Sequence, residues 1–313
     1  TTTRTSGKST AAVFTSRDMD DGLDPHNVTV RESRDSDVNP NATPVIVALD
    51  VTGSMGMIAD KMAREGLDTF FKEVINRKPI TDPHLMVMGV GDVDWDRAPL
   101  QVSQFEADIR IADQLTKIFL EHGGGGNDHE SYTLPWYFAA RKTDIDCVKH
   151  GRKGLLITIG DECCPTELRA DQIKKAIGDT VQADISTKDL LALVSQKYDV
   201  YHVVVEQGNF ASSYRNEVYN SWNSALPQGR VIPLSDYTKL SEVLVSVLEV
   251  HAGKSPELVA ASWDGTTSVV VRNAVSAMVP AKGKAAASTP AVWRPAAATP
   301  SVAPSVRKRS AGA

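Results

Sequence analysis

The sequence of 313 residues contains few cysteines, few aromatic residues and no long apolar run. Its three cysteines, two of them adjacent, are too few for a disulfide framework. No stretch reaches the roughly 18 apolar residues that a membrane-spanning helix requires. Basic residues are not in excess either, with 34 Lys and Arg against 39 Asp and Glu. These absences argue against a secreted disulfide scaffold, a membrane protein and a strongly basic nucleic-acid binder.

The charge is unevenly distributed along the chain. Residues 280–313 contain six basic residues and no acidic one, so this tail carries +6 and the rest carries −11 of the formal net charge of −5. The tail is also rich in Ala, Pro, Ser and Thr, a composition that cannot bury a core. An acidic body with a basic tail favours partner binding, and we expect any binding of nucleic acid to be confined to the tail.

The composition divides the chain into four parts. We predict an N-terminal arm with a short strand at residues 1–43, an α/β domain at 44–253, an extension at 254–279 and a flexible basic tail at 280–313. The first residues are polar and lack the apolar stretch of a signal peptide. Together with the low cysteine content, this predicts a cytoplasmic protein or a component of a virion assembled in the cytoplasm.

Apolar runs of strand length alternate with segments of helical periodicity. The predicted core strands lie at residues 45–49, 85–90, 155–159, 200–205 and 231–234, with shorter strands at 28–30 and 100–102. The predicted helices lie at 58–75, 109–120, 130–142, 167–177, 187–196, 216–225 and 237–250. This alternation is typical of a mainly parallel sheet covered by helices, and such sheets bind ligands at the carboxyl ends of their strands.

A cluster of oxygen-bearing side chains follows the first core strand. Asp50, Thr52 and Ser54 place one carboxylate and two hydroxyls at alternate positions of a turn, where they can converge on one hard cation. Gly53 and Gly56 permit a sharp turn into the next helix. The alternative is that Asp50 and Ser54 only cap that helix.

Two further loops are expected at the same edge of the sheet. Asp161 follows the strand at 155–159, and four successive glycines at 123–126 precede the predicted helix at 130–142. A glycine run allows a ligand to approach backbone N–H groups closely. Taken singly, these features also fit an ordinary loop carboxylate and a flexible loop, whereas their shared placement favours a metal site.

Residues 45–56 resemble the first strand and metal motif of von Willebrand factor type A (VWA) domains. The metal-ion-dependent adhesion site of that family uses Asp-x-Ser-x-Ser, a Thr from a second loop and an Asp from a third. Asp50, Thr52 and Ser54 match the motif, with Thr in place of the first Ser, and Asp161 matches the third-loop Asp. The resemblance spans about residues 45–250 and implies a doubly wound α/β sheet with helices on both faces.

The second loop departs from the family pattern. The resemblance implies that Asn127 or Asp128 supplies the oxygen that a Thr would otherwise provide. A direct Asp ligand would add negative charge to the metal and would weaken its attraction for a carboxylate from a partner.

The resemblance implies a metal-binding function without catalysis. Hydroxyl and carboxylate oxygens suit Mg²⁺, with Mn²⁺ or Ca²⁺ as alternatives, and an Asp or Glu of a partner protein could take the open position. We therefore expect a divalent-metal-dependent protein-interaction module, an intracellular adaptor or assembly component of the bacterial or phage type. The alternative is a structural, virion-associated or nucleic-acid-associated protein that acts through its basic tail.

Other motifs are weaker. Residues 7–10 read Gly-Lys-Ser-Thr, but neither the first glycine nor the strand of a phosphate-binding loop precedes them. Metal-dependent phosphatases with an Asp-x-Asp motif need a second carboxylate where Thr52 stands. Trp95 lies in an acidic loop after the second core strand, where it either anchors a partner or belongs to a solvated loop.

Overall fold

The computed structural model describes residues 18–108, 110–121 and 128–278, except for the side chain of Arg64. The strands are β1 Arg31–Ser33, β2 Thr43–Asp50, β3 Pro83–Val90, β4 Leu100–Val102, β5 Thr143–Ile145, β6 Gly154–Gly160, β7 Glu167–Leu168, β8 Ile185–Ser186, β9 Tyr198–Val205 and β10 Val231–Leu234. The helices are α1 Met57–Lys61, α2 Leu67–Arg77, α3 Arg110–Leu115, α4 Thr133–Arg141, α5 Ala170–Ile177, α6 Thr187–Val194, α7 Asn209–Ala225, α8 Leu240–His251, α9 Pro256–Ala261 and α10 Gly265–Val275. A π-helical turn, Met62–Gly66, joins α1 to α2.

Six strands form one sheet in the order β10-β9-β6-β2-β3-β4. Neighbouring strands are parallel except for β3 and β4, which are antiparallel. The chain passes from the central strand β2 to β3 on one side, and later continues from β6 to β9 and β10 on the other. The strand order therefore reverses between β2 and β6. This doubly wound, mainly parallel sheet confirms the predicted fold class.

The sheet is buried on both faces, which explains why its central strands are continuous apolar runs. On β2, Val45, Val47 and Leu49 belong to one apolar cluster, whereas Ile46 and Ala48 belong to the other. The first cluster includes buried residues of α2, α8, α9 and α10, and the second includes those of α4 and α7. Helices therefore cover both faces, as the alternating pattern predicted. In the described ranges, no helix is both long enough and apolar enough to cross a bilayer.

Several elements differ from the sequence-based prediction. The short strands β5, β7 and β8 were not predicted, and the helix expected at 58–75 is divided by the π-helical turn. The strand expected at 28–30 is found slightly later, as β1, because it pairs in parallel with the distant β5. The helix expected at 109–120 is the shorter α3, and the helix expected to start at residue 216 is α7, which starts at Asn209. The position of β1 and the start of α7 each involve a contact with a remote part of the chain, with β5 and with Asp161 respectively.

The segment expected as a C-terminal extension contains two helices that join the core. α9 and α10 follow α8, and Val259, Val271 and Val275 are buried in the apolar cluster that α8 also enters. The basic tail at 280–313 and residues 1–17 of the N-terminal arm lie outside the described residues. The role of the tail in nucleic-acid binding therefore stays a prediction.

The end of β6 is shaped by an aromatic side chain. A Cβ atom on Gly160 would lie 2.0 Å from the hydroxyl of Tyr132, and backbone and ring would have to separate. Tyr132 is fully buried, and its ring makes edge contacts with His202 and Trp222 at centroid distances of 5.3 and 5.5 Å. Only glycine lets this strand end approach the tyrosine so closely.

We expect Gly160→Ala to lower the free energy of unfolding by about 1–3 kcal/mol, since it overpacks a filled site. Urea denaturation of the full chain measures the change. Gly66→Ala is the matched control, because its Cβ would meet only the side chain of Leu240, with the shortest contact, 3.2 Å, at a terminal methyl group. Equal stabilities of Gly160→Ala and the wild type would show that Tyr132 can move aside.

Candidate metal centre

The predicted metal motif lies where the strand order of the sheet reverses. Asp50 is the last residue of β2, and Asp161 directly follows β6, the neighbouring strand. The connections that leave these two strands run to opposite sides of the sheet, which opens a crevice between them. Local apolar runs therefore place two distant carboxylates side by side.

Hydrogen bonds join four of the predicted residues into one chain. Oδ1 of Asp50 accepts from the backbone N–H of Thr52 at 2.9 Å and from its hydroxyl at 2.7 Å. The hydroxyl of Ser54 donates to Oδ1 of Asp161 at 2.9 Å. The two hydroxyl oxygens, Oγ1 of Thr52 and Oγ of Ser54, lie 3.1 Å apart. The structure thus brings Asp50, Thr52, Ser54 and Asp161 together.

The remaining oxygens of the two aspartates are held by other parts of the fold. The hydroxyl of Tyr132 donates to Oδ2 of Asp50 at 2.6 Å. The backbone N–H of Phe210, in the first turn of α7, donates to Oδ2 of Asp161 at 2.8 Å. Both carboxylates are fully buried, so these bonds fix their orientation.

The hydroxyls of Thr52 and Ser54 each bond to a different aspartate. A hydroxyl has one proton to donate and two lone pairs. Thr52 uses its proton on Asp50 and Ser54 uses its proton on Asp161, at the distances given above. The two hydroxyl oxygens lie 3.1 Å apart, and their lone pairs face each other when both protons point to the aspartates. Such a pair of oxygens is suited to share a cation.

The second-loop residues are placed differently. Asn127 lies outside the described residues. The side chain of Asp128 is 70% exposed, and its carboxylate lies 2.9 Å from Nδ1 of His129. That hydrogen bond is the main cause of the lowered pKa of Asp128. Its backbone carbonyl accepts from the N–H of Cys163 at 3.0 Å, which ties the second loop to the third.

Two buried glutamates were missed by the sequence analysis. Glu130 is 2% exposed and Glu162 is 6% exposed, and Oε2 of each has no hydrogen-bond partner among the described residues. An unsatisfied buried polar group costs about 1–3 kcal/mol. The available signals were the position of Glu162 next to Asp161 and that of Glu130 at the start of the predicted helix 130–142.

The carboxylates of the site repel one another. Burial raises the pKa of Asp50 to about 7, and the charge of Asp161 adds to the shift. Burial also raises the pKa of Glu162 to about 8 and that of Glu130 to about 11, and Asp50 contributes to both shifts. The pKa of Asp161 is raised by burial and lowered by its hydrogen bonds.

No Lys, Arg or His of the described residues forms an ion pair with any of these four carboxylates, and none figures among the causes of their shifts. Buried carboxylates without a basic partner either hold protons or require a cation. Within the described ranges, no three Asp, Glu, His or Cys side chains are placed to hold a metal ion by themselves. A metal here would need the hydroxyls of Thr52 and Ser54.

The edge around the site carries both polar and exposed apolar groups. A polar cavity of about 180 Å³ lies beside the second loop, lined in part by Asp92, His129 and Arg169. Arg169 donates to Asp94 at 2.8 Å, and the neighbouring Trp95 is 66% exposed. The acidic loop is thus anchored, and its tryptophan points to solvent.

Comparisons with known proteins give a likeness in structure only. No family model matches the sequence, and no curated protein is similar to it. The pilus adhesin SpaC from Lactobacillus rhamnosus GG is a structural neighbour, with a TM-score of 0.46 and 11% identity over 70% of this chain and 30% of the adhesin. Proximal thread matrix protein 1 from the mussel byssus gives a TM-score of 0.42 and 12% identity over 67% of this chain and 47% of that protein.

A von Willebrand factor type A protein from Catenulispora acidiphila is also similar. Its TM-score is 0.36, with 13% identity over 69% of this chain and 44% of that protein. The chain thus spans less than half the length of each of these three structures. With TM-scores below 0.5, the fold class is established by the strand order of this chain itself.

We expect the metal-free protein to lose stability as the pH rises from about 5 to about 8.5. Asp50 and Glu162 have pKa values of about 7 and about 8 in the folded protein, above those of unfolded carboxylates. The folded state therefore binds more protons than the unfolded state, and this stabilisation is lost as the pH rises through the folded pKa values. Thermal melts with a chelator present measure the effect.

Asp50→Asn removes one of the interacting carboxylates and should make this pH dependence shallower. Asp171→Asn is the control, because Asp171 lies on the surface of α5 and bonds to Arg169. A melting temperature of the wild type that stays constant or rises over this range would contradict the account of the site.

Proposed function

We propose that this chain is a divalent-metal-dependent protein-interaction module without catalytic activity, with Mg²⁺ as its resident ion. Thr52 and Ser54 would ligate the ion through their hydroxyls. Asp50 and Asp161 would bind the ion directly or through water. The observation that carries the proposal is the 3.1 Å separation of the two hydroxyl oxygens. Adjacent ligands of an octahedral Mg²⁺ at about 2.1 Å lie roughly 3.0 Å apart.

The donor set supports a small hard cation. Oxygen atoms alone converge at the site, which suits Mg²⁺ or Mn²⁺. Ca²⁺ takes six to eight oxygens at about 2.3–2.6 Å and is the alternative with the larger ligand demand. The uncompensated carboxylates supply the electrostatic attraction for any of these ions. When bound, the ion would offer a positive point to which an oxygen of a partner protein can attach.

Exposed apolar side chains around the site support a protein partner. Met57 at the start of α1 is 74% exposed, Trp95 after β3 is 66% exposed, and Tyr214 in α7 is 50% exposed. All three belong to segments that follow carboxyl ends of sheet strands, which is the edge that holds the carboxylates. Aromatic residues and Met are enriched in protein interfaces. A partner that covers this edge would bury them together with the metal.

The proposal includes an intracellular adaptor or assembly role, in the cytoplasm of a bacterium or in a virion. All three cysteines are free and buried. Buried thiols fit a reducing compartment, where disulfides do not form. An Asp or Glu of the partner is one candidate for the open position at the metal.

Calorimetric titration of Mg²⁺ and Mn²⁺ into the full chain, stripped of metal with a chelator, tests the proposal. We expect saturable binding to one site. Thr52→Val and Ser54→Ala should each weaken it about 10- to 100-fold, the range known for residues that support metal ligands. Thr52→Val keeps the shape of the side chain and removes only its hydroxyl.

Ser213→Ala is the matched control for these variants. Its hydroxyl is exposed on α7 and bonds to the carbonyl of Asn209 in the same helix. Unchanged binding by Thr52→Val, or no binding by the folded wild type, would overturn the proposal. Hydrolysis of a phosphoester that Asp50→Ala abolishes would assign the site to a metal hydrolase instead.

A further inference from the structure

Glu130 occupies the place in the second loop that faces the other carboxylates. It stands three residues before α4, next to the start of the helix that follows the glycine run. Its carbonyl accepts from the N–H of Tyr132 at 2.8 Å, and the hydroxyl of Tyr132 donates to Oδ2 of Asp50. One short segment is therefore fixed against Asp50 and carries Glu130 with it.

The side chain of Glu130 is enclosed but unsatisfied. It is 2% exposed, and its Oε2 atom has no hydrogen-bond partner among the described residues. Besides burial, the causes of its raised pKa are the charges of Asp50, Glu162, Asp92 and Asp96, in that order. Its environment is thus dominated by other carboxylates, with Asp50 of the metal motif as the strongest of them. A buried carboxyl oxygen in such a position lacks a cation or a donor.

Asp128 differs from Glu130 in each of these respects. Its carboxylate is largely exposed and is bonded to His129. An imidazole bonds to it and solvent can reach it, whereas Oε2 of Glu130 is enclosed and has no hydrogen-bond partner among the described residues. The two residues are only two positions apart, so the fold turns one carboxylate outward and the other inward.

We propose that Glu130, rather than Asn127 or Asp128, provides the second-loop oxygen ligand of the metal centre. This inference rests on the proposed function, because it assigns a ligand to the same ion. The site would then combine the hydroxyls of Thr52 and Ser54 with a carboxylate of Glu130. That set uses the one enclosed, unpartnered carboxylate of the second loop in the part of the chain that the structure describes.

Calorimetric titration of Mn²⁺ into the full-length, metal-stripped protein compares Glu130→Gln with Asp128→Asn. We expect Glu130→Gln to weaken binding about 10- to 100-fold and Asp128→Asn to change it less than about twofold. Both variants replace a carboxylate by an amide of the same shape. Melting curves of the metal-free variants check that each is folded.

A second measurement separates ligation from a merely structural role. The water-proton relaxivity of bound Mn²⁺ depends on the number of water molecules on the ion. Glu130→Ala should raise this relaxivity at saturating Mn²⁺, because a water takes the place of the carboxylate. Asp128→Ala should leave it unchanged.

The outcomes separate this inference from the proposed function. Wild-type protein that binds no Mn²⁺ would overturn both. Saturable wild-type binding that Thr52→Val weakens, with unchanged affinity in Glu130→Gln, would overturn only the assignment of Glu130. A loss of affinity in Asp128→Asn instead would assign the ligand to Asp128.

Discussion

Two adjacent parallel strands end in buried aspartates, and the organisation of the site depends on how these carboxylates are held. Asp50 and Asp161 cannot separate, because β2 and β6 are paired along their length. Thr52, Ser54, Tyr132 and the amide of Phe210 supply the donors that keep them in place. These donors come from three separate segments, so the arrangement at one edge of the sheet couples the loops to the helices α4 and α7.

The aromatic cluster beneath the site explains why these loops keep their positions. The rings of His202 and Trp222 are stacked at a centroid distance of 3.5 Å, and both contact Tyr132. The indole N–H of Trp222 donates to the carbonyl of Glu162 at 2.9 Å. This aromatic cluster thus packs against Tyr132, which binds Asp50, and anchors the backbone at Glu162. It also excludes water from the carboxylates above it.

Much of the architecture could be predicted from the sequence, because it is encoded in local patterns. Buried parallel strands appear as continuous apolar runs, and the motif at Asp50 directly follows one of them. The start of α7 at Asn209 could not be predicted, because the first turn of this helix donates the N–H of Phe210 to Asp161, which is distant in the sequence. The burial of Glu130 could not be predicted either, because neither composition nor periodicity distinguishes it from the exposed Asp128 two residues earlier.

The number of buried carboxylates at this edge of the sheet determines the net charge that a ligand or partner would meet there. Four of them, those of Asp50, Glu130, Asp161 and Glu162, lie buried without a basic partner among the described residues. One divalent ion offsets two negative charges, so the other carboxyls must keep protons or leave the loaded site negative. Under the proposed function, a partner carboxylate would meet no net negative charge in the first case and would be repelled in the second, because like charges in a poorly solvated site interact strongly. Under the proposed function, the proton content of Glu130 and Glu162 would therefore affect the choice of partner along with the identity of the metal.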